Sequence, residues 1–466
     1  MRISTGTTTG LPIGLSIGIV RLALSALLLS VGLSAQQGSS ANWPQFRGPS
    51  ATGVSLGAAT PVTFGGEDNE NVLWRTPVPG LSHSSPVVWG ERVFISTAVQ
   101  IGSRAELASL FGSAGYGAGD SVTGDLPHLY QLWCLEKSSG VVLWTRTAHR
   151  GVPQVMRHPK SSHANPTPAC DAERVVVSFG SEGLFAFDHD GNQLWKRELG
   201  YLDSAAPDYG QEGYQWGFAS SPVLGPEHVF VQCDHEGDSY VAAFKLSDGS
   251  EVWRTGREES STWSTPTVVL EDTPQLVLNG YRHIGGYSLD TGESLWRLVG
   301  GGDVPVPTPV AYEGLVFLTS AHGPDSPLRA VQLGAEGEVL RDGTDDDLLW
   351  ENKRRGVYMQ TPLVHDGLVW ACSDAGILAC YDFISGEAYF RERLGDGSYG
   401  FSGSPVFADG KLYLSGEGGI VTVVNASKSF EVLAQNDLGE TLMATPAISD
   451  GILIFRGRDS VIAVRK

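Results

Sequence analysis

One Ser/Thr-Pro pattern recurs eight times along this chain, in pairs ending at Pro86, Pro168, Pro222, Pro266, Pro309, Pro362, Pro405 and Pro446. Each is followed by a short apolar, β-prone run such as Val223-Leu224 or Val406-Phe407. Successive prolines lie 82, 54, 44, 43, 53, 43 and 41 residues apart. A period in the low forties, lengthened by insertions, is that of a four-stranded propeller blade. The repeat therefore argues for one closed array rather than several ordinary domains. It also places function in loops around a central axis rather than on a helix-borne motif.

Residues 360–395 serve as the reference copy. A first strand at Thr361-Pro362-Leu363-Val364 meets a tight turn at Asp366-Gly367. Strands follow at Leu368 to Cys372, Ile377 to Asp382 and Glu387 to Arg393, separated by turn residues. The fourth strand carries its own signature, a Gly followed four residues later by an aromatic. It reads Gly140…Trp144, Gly191…Trp195, Gly249…Trp253, Gly292…Trp296 and Gly386…Phe390. A repeated aromatic at one position packs between neighbouring blades, so these rings are core.

The last copy, from Thr445, runs out of chain after its third strand, and an unclaimed strand, Val72 to Thr76, precedes the first of the eight repeat pairs. The fold expected is all-β: an eight-bladed propeller whose N-terminal strand completes the last blade and removes the open edge. Insertions fall at residues 99–128, with a helical turn at Glu106 to Leu110, at 149–165, at 200–219, and at 334–347 in the fifth blade.

Residues 1–35 read as an export signal. Arg21 precedes the apolar run Leu22 to Leu33, too short to span a bilayer, and cleavage fits after Ser34 or Ala35. Residues 36–70 form an N-terminal lead-in and 71–466 the propeller. The formal charge is −20, which argues against a phosphate-backbone partner and suits a solubilising surface. The five cysteines are scattered, without Cys-x-x-Cys, and read as buried free thiols. A two-residue turn at Asp374-Ala375 would pair Cys372 with Ile377, keeping Cys372 and Cys380 apart.

In a meander, the loop from a fourth strand to the next first strand shares a face with the second-to-third turn. The candidate binding face on that side comprises His163, Trp216, Asp234, Trp263, His283, Asp303, His322, Tyr358, Asp374, Glu417 and Arg456, with His83 and His158 among the further loop residues there. Trp216, Trp263, His283 and Arg456 are the first choices for contacts, since aromatic and Arg groups dominate hot spots. A metal site would need three or four such groups converging on one point. The run Asp345-Asp346-Asp347 lacks the alternating spacing of a calcium loop. Beyond residues 1–70, where Gly14 to Gly18 and Gly53 to Gly57 happen to read Gly-x-Ser-x-Gly, the sequence carries no Gly-x-Ser-x-Gly, His-Glu-x-x-His or Walker pattern.

The hairpin Gly286-Tyr287-Ser288-Leu289-Asp290-Thr291-Gly292-Glu293-Ser294-Leu295-Trp296 resembles the pyrroloquinoline-quinone (PQQ) propeller repeat, and the resemblance covers residues 71–466. Trp43-Pro44-Gln45-Phe46-Arg47-Gly48-Pro49 is similar to the leading motif of exported members of that superfamily. Two branches matter. Quinoprotein alcohol dehydrogenases hold PQQ and calcium on the channel axis, with an adjacent Cys-Cys pair that this chain lacks. The BamB-type branch is a non-enzymatic scaffold for outer-membrane assembly, although this chain has no lipid-anchor cysteine in its leader. The resemblance implies an exported, monomeric scaffold of the periplasm or cell envelope. It would recognise an envelope protein through one propeller face, with no cofactor and no transmembrane segment. A PQQ- and calcium-dependent dehydrogenase, or a carbohydrate or small-ligand binder, are the alternatives.

Overall fold

In the computed structural model, short apolar runs separated by turn residues become 34 strands, with two short 3-10 turns, among the described residues. The structure describes residues 42–107, 121–205, 215–270, 273–322, 325–341 and 345–466. The expected signal at 1–35 lies outside these residues, as does most of the expected helical turn at Glu106 to Leu110. Ser39–Lys466 forms one compact unit.

The strands assemble into eight antiparallel blades. In blade 6 they are Leu363–His365, Leu368–Cys372, Ile377–Asp382 and Ala388–Arg393, in that order from the axis outward. Blade 8 has three strands from the C-terminus, Ala447–Ser449, Ile452–Arg456 and Ser460–Val464, and takes its fourth from Val72–Pro77. Arg75 lies opposite Ile462 and Thr76 opposite Val461, so the ring is latched by backbone pairing of its two ends.

Two blades gain a fifth strand, each parallel to its neighbour. Val54–Ser55 pairs with Val406–Ala408 of blade 7, and Gly337–Val339, from the long turn of blade 5, pairs with Ser294–Val299 of blade 4. The second strap covers an outer edge that would otherwise offer unpaired backbone groups.

The Gly…aromatic signature acts between blades. Trp74, Trp144, Trp195, Trp253 and Trp350 each lay their ring over the signature Gly of the next blade: Gly140, Gly191, Gly249, Gly292 and Gly386. A Cβ at Gly249 would stand 2.8 Å from the Trp195 ring, so glycine is needed for the close approach as well as for its φ of 70°. The indole Nε1 then donates across the junction, from Trp195 to Leu246 O (2.9 Å) and from Trp144 to His189 O (2.9 Å). Each contact buries a large ring and satisfies its one donor.

All five cysteines are buried and free. The turn in blade 6 is longer than the expected two residues. Gly376, at φ 72°, closes a loop from Ser373 by donating to Ser373 O (2.8 Å), and Cys372 pairs with Leu378 rather than Ile377.

Candidate functional site

The first strand of every blade lines the axis, and the Ser/Thr of each Ser/Thr-Pro pair stands at its start. These eight residues, Ser85, Thr167, Ser221, Thr265, Thr308, Thr361, Ser404 and Thr445, all line one central cavity of about 500 Å³. They are also bonded to one another. The backbone N–H of Ser85 donates to Thr167 Oγ1 (2.9 Å), Thr167 to Ser221 Oγ (2.9 Å) and Ser221 to Thr265 Oγ1 (3.0 Å). A second arc runs from Thr308 to Thr361 Oγ1 (3.0 Å), Thr361 to Ser404 Oγ (2.9 Å) and Ser404 to Thr445 Oγ1 (2.9 Å). The Pro that follows has no N–H to satisfy, and in six of the eight blades the hydroxyl stitches the inner strand to its neighbour. The arcs stop at Ser85 and Thr308, four blades apart, whose hydroxyls have no partner among the described residues.

The Trp43–Pro49 motif closes one end. Trp43 pairs with Val88 of blade 1, and Pro44 O accepts from Cys170 N (2.7 Å) of blade 2. On the far side, Arg47 donates to Pro362 O (2.8 Å) of blade 6 and Pro405 O (3.0 Å) of blade 7. The segment thus crosses the channel at the first-to-second turn end, and Phe46 forms part of the cavity lining. Burial pulls the Arg47 guanidinium down to about 9, and carbonyl oxygens compensate it.

The cavity has two kinds of wall. On blades 3 to 6, Trp216, Trp263 and Val304 form a buried cluster with Ala219, Val306 and Tyr358 packed on it. The Trp216 and Trp263 rings lie 5.7 Å apart at 34°, and Trp263 Nε1 donates to Gly217 O (2.7 Å). His158 meets Trp216 edge-on at 5.7 Å, and His322 lies 5.1 Å from Tyr358. The other wall is polar: His83, Lys160, Asn165, Asp374 and Ser402. Lys160 Nζ binds Glu417 Oε1 at 2.6 Å, which also accepts from Ser402 Oγ (2.7 Å). His83 Nε2 lies 2.9 Å from Lys160 O, and since a carbonyl can only accept, that nitrogen carries the proton. Burial first, then the nearby Arg157, Lys160 and Arg456 charges, hold His83 down at about 3, so it is neutral and its Nδ1 is a bare acceptor.

Of the eleven residues expected on the binding face, Trp216, Trp263, His322, Tyr358 and Asp374 line the cavity. Glu417 stands behind the polar wall through Lys160 and Ser402. Asp303 serves by its backbone, bridging His322 and accepting from Ser320 Oγ (3.0 Å). The other four lie in separate buried networks. Asp234 binds Arg257 Nε (2.8 Å), and His283 Nδ1 stands 2.5 Å from Glu259, in a cluster between blades 3 and 4 that Tyr287 completes. Burial raises the Asp234 carboxyl, whereas Glu259 is lowered, because His283 and Arg257 outweigh its burial. His163 packs edge-on against His128 at 5.1 Å and is pushed down to about 3 by burial. Arg456 gives Nη1 to Gly457 O (2.6 Å) and Ser460 O (3.1 Å), and burial pulls it down to about 10. Sequence reasoning passed over Phe46, Lys160 and Asn165, and it took the Ser/Thr-Pro hydroxyls as strand markers only. Their recurrence at one blade position was the signal available.

Among the described residues, no three His, Cys, Asp or Glu side chains converge to hold a metal ion. Calcium takes six to eight oxygens, several from carboxylates. Here the wall offers Asp374, while Glu417 is already engaged by an ammonium and a hydroxyl. These residues do not fit a calcium–quinone pair.

The fold and its hydroxyl-ringed channel define an eight-bladed propeller of the PQQ-repeat class. A family model described as outer membrane protein assembly factor BamB matches residues 62–206 and 237–340, just over half the chain, and the chain belongs to that family. No curated protein matches it. Among solved structures, BamB from Moraxella catarrhalis is 13% identical with a TM-score of 0.53, covering 79% of this chain and 98% of its own. A europium-containing methanol dehydrogenase is 12% identical (TM-score 0.62; 91% and 89%). Quinohemoprotein alcohol dehydrogenase from Comamonas testosteroni is also 12% identical (TM-score 0.61; 92% and 81%). At these identities the likeness is one of fold, and the fold is shared by scaffold and enzyme alike.

Proposed function

We propose that this protein is an exported binding scaffold of the BamB type, docking an envelope protein through the loop face of its propeller. The family match over residues 62–206 and 237–340 carries this reading. The donor set of the channel supports it over a quinone dehydrogenase, since among the described residues no three carboxylate, His or Cys side chains converge to hold the cation that would sit beside the quinone. Export rests on Arg21 and the apolar run Leu22 to Leu33. No described helix is long and apolar enough to cross a membrane.

The docking surface differs from the residues first favoured. Trp216, Trp263, His283 and Arg456 are all buried, so a folded partner meets other side chains first. On the same loop face, blades 1 and 2 present Leu126, Val152 and Tyr201, exposed to 41%, 51% and 53%. Large apolar groups on a functional face suit a protein contact better than free solvent.

Deleting the gene in its host is expected to lower the amount of β-barrel protein in the outer membrane. The wild-type chain should restore it, and a Val152→Asp/Tyr201→Asp variant with an unchanged melting temperature should not. Unaltered outer-membrane protein levels in the deletion strain would sink the reading.

A further inference from the structure

The central cavity has a chemical character of its own, independent of any protein docked on the rim. Its volume of about 500 Å³ falls within the roughly 300–1,000 Å³ of small-molecule sites. The Trp43–Pro49 segment closes its floor, so a ligand enters from the loop face and stops on Phe46 and the hydroxyl ring.

The polar groups on its walls sort into spent and unspent. The Lys160 ammonium is engaged by Glu417 at 2.6 Å. The Asn165 amide donates to Ser161 Oγ (2.8 Å) and Phe218 O (3.1 Å), and its oxygen accepts from Ser162 Oγ (2.7 Å) and Ser162 N (3.0 Å). Apart from the ring hydroxyls and the remaining N–H groups of Lys160, what stays unspent is acceptor capacity. His83 has given its one proton to a carbonyl and keeps a bare Nδ1. The half-buried Asp374 carboxylate lines the cavity with no side-chain partner among the described residues, its backbone oxygen alone being engaged, by Phe401 N (2.9 Å).

A wall of unspent acceptors requires a ligand that donates. It disfavours carboxylates, phosphates and carbonyl-rich quinones, which would set lone pair against lone pair beside a carboxylate and a compensated lysine. The opposite wall is aromatic, with the Trp216/Trp263 pair, Tyr358 and the His322 ring. Flat apolar C–H surface on one side and many O–H donors on the other is the make-up of a neutral sugar. We infer that the cavity is a binding site for a neutral carbohydrate of one or two rings. Its apolar face would lie on Trp216 and Trp263, and its hydroxyls would donate to Asp374 and to Nδ1 of His83.

Isothermal titration of the full-length mature protein with maltose, cellobiose and N,N′-diacetylchitobiose tests this, with glucuronate as the charged control. At least one of the neutral disaccharides should bind with one-to-one stoichiometry, and glucuronate at least about tenfold more weakly. Asp374→Ala should weaken that binding by at least about tenfold with the melting temperature unchanged, because Asp374 holds no other side chain. Trp263→Phe, which keeps most of the apolar volume, should weaken it with the fold retained. The inference is overturned if none of the three disaccharides binds at millimolar concentration. Glucuronate binding as tightly as they do would also overturn it, as would equal affinity in wild type and Asp374→Ala, or binding of PQQ with calcium alone.

Discussion

The junction between blades 2 and 3 and the junction between blades 4 and 5 solve one problem by different means. At the first, the Trp195 ring lies over Gly249 and Nε1 donates to Leu246 O, while Thr167 N donates inside to Ser221 Oγ. At the second, Trp296 turns its Nε1 to Gln275 of its own blade (2.7 Å), and the hydroxyl link to Thr308 is missing. In their place, Gly337–Val339 adds a parallel strand to the outer edge of blade 4. Inside, Ser264 Oγ (2.9 Å) and Asn279 Nδ2 (2.9 Å) reach Pro307 O, and Thr267 Oγ1 reaches Pro309 O (2.6 Å). A repeat protein needs each interface to be made, not made identically, and a long turn can take over from a side chain.

The largest effect should come from the seam. Removing residues 36–80 takes away both the channel floor and the fourth strand of blade 8, and should abolish the cooperative melt. A truncated chain melting like wild type would end the latch idea. Trp195→Ala comes next, at about 3–5 kcal/mol in chemical denaturation, because it opens a cavity over Gly249 and strands Leu246 O. Val339→Asp, which puts a charge at the strap's buried residue, should cost about 2–4 kcal/mol if the strap truly replaces the ordinary contact. A cost below about 0.5 kcal/mol would make it mere decoration.

A sharper pair lies on the inner ring. Thr361→Val removes the acceptor of Thr308 N–H and should cost about 1–3 kcal/mol. Thr308→Val removes a hydroxyl without a partner and should be within about 0.5 kcal/mol of neutral, or stabilising. Equal effects would mean that the ring is no ring. The smallest effect is with mild acid. His83 and His163 sit near 3 when folded and near 6.5 when unfolded, so between those values the unfolded chain binds more protons. Their contribution is intact above pH 6.5 and falls as pH drops through the window, by at most about 1.4 kcal/mol per pH unit for each. His163→Gln should flatten the slope of melting temperature between pH 6.5 and 5.5, and an unchanged slope would exclude His163 as its source.

Much of this was legible beforehand. Eight Ser/Thr-Pro pairs gave the blade count, the Gly…Trp spacing gave the core, and the unclaimed Val72 to Thr76 strand gave the closure, because repeats and alternation are local patterns. The candidate site was legible in part. Sequence put Trp216, Trp263 and Asp374 on one face, but it put His283 and Arg456 there too, since a loop position says nothing about which way a side chain turns. The pairing of Lys160 with Glu417 joins blades far apart in the chain and had no local signature.

The ring, its size and its seam follow from the repeats, because each blade writes its own strands and turns. What the ring encloses follows from contacts between blades. The stitching by six of the eight hydroxyls, the Trp43–Pro49 floor and the division into aromatic and acceptor walls exist only where blades from the whole chain meet at one axis. Such contacts depend on closure, and closure is not a property of any one segment.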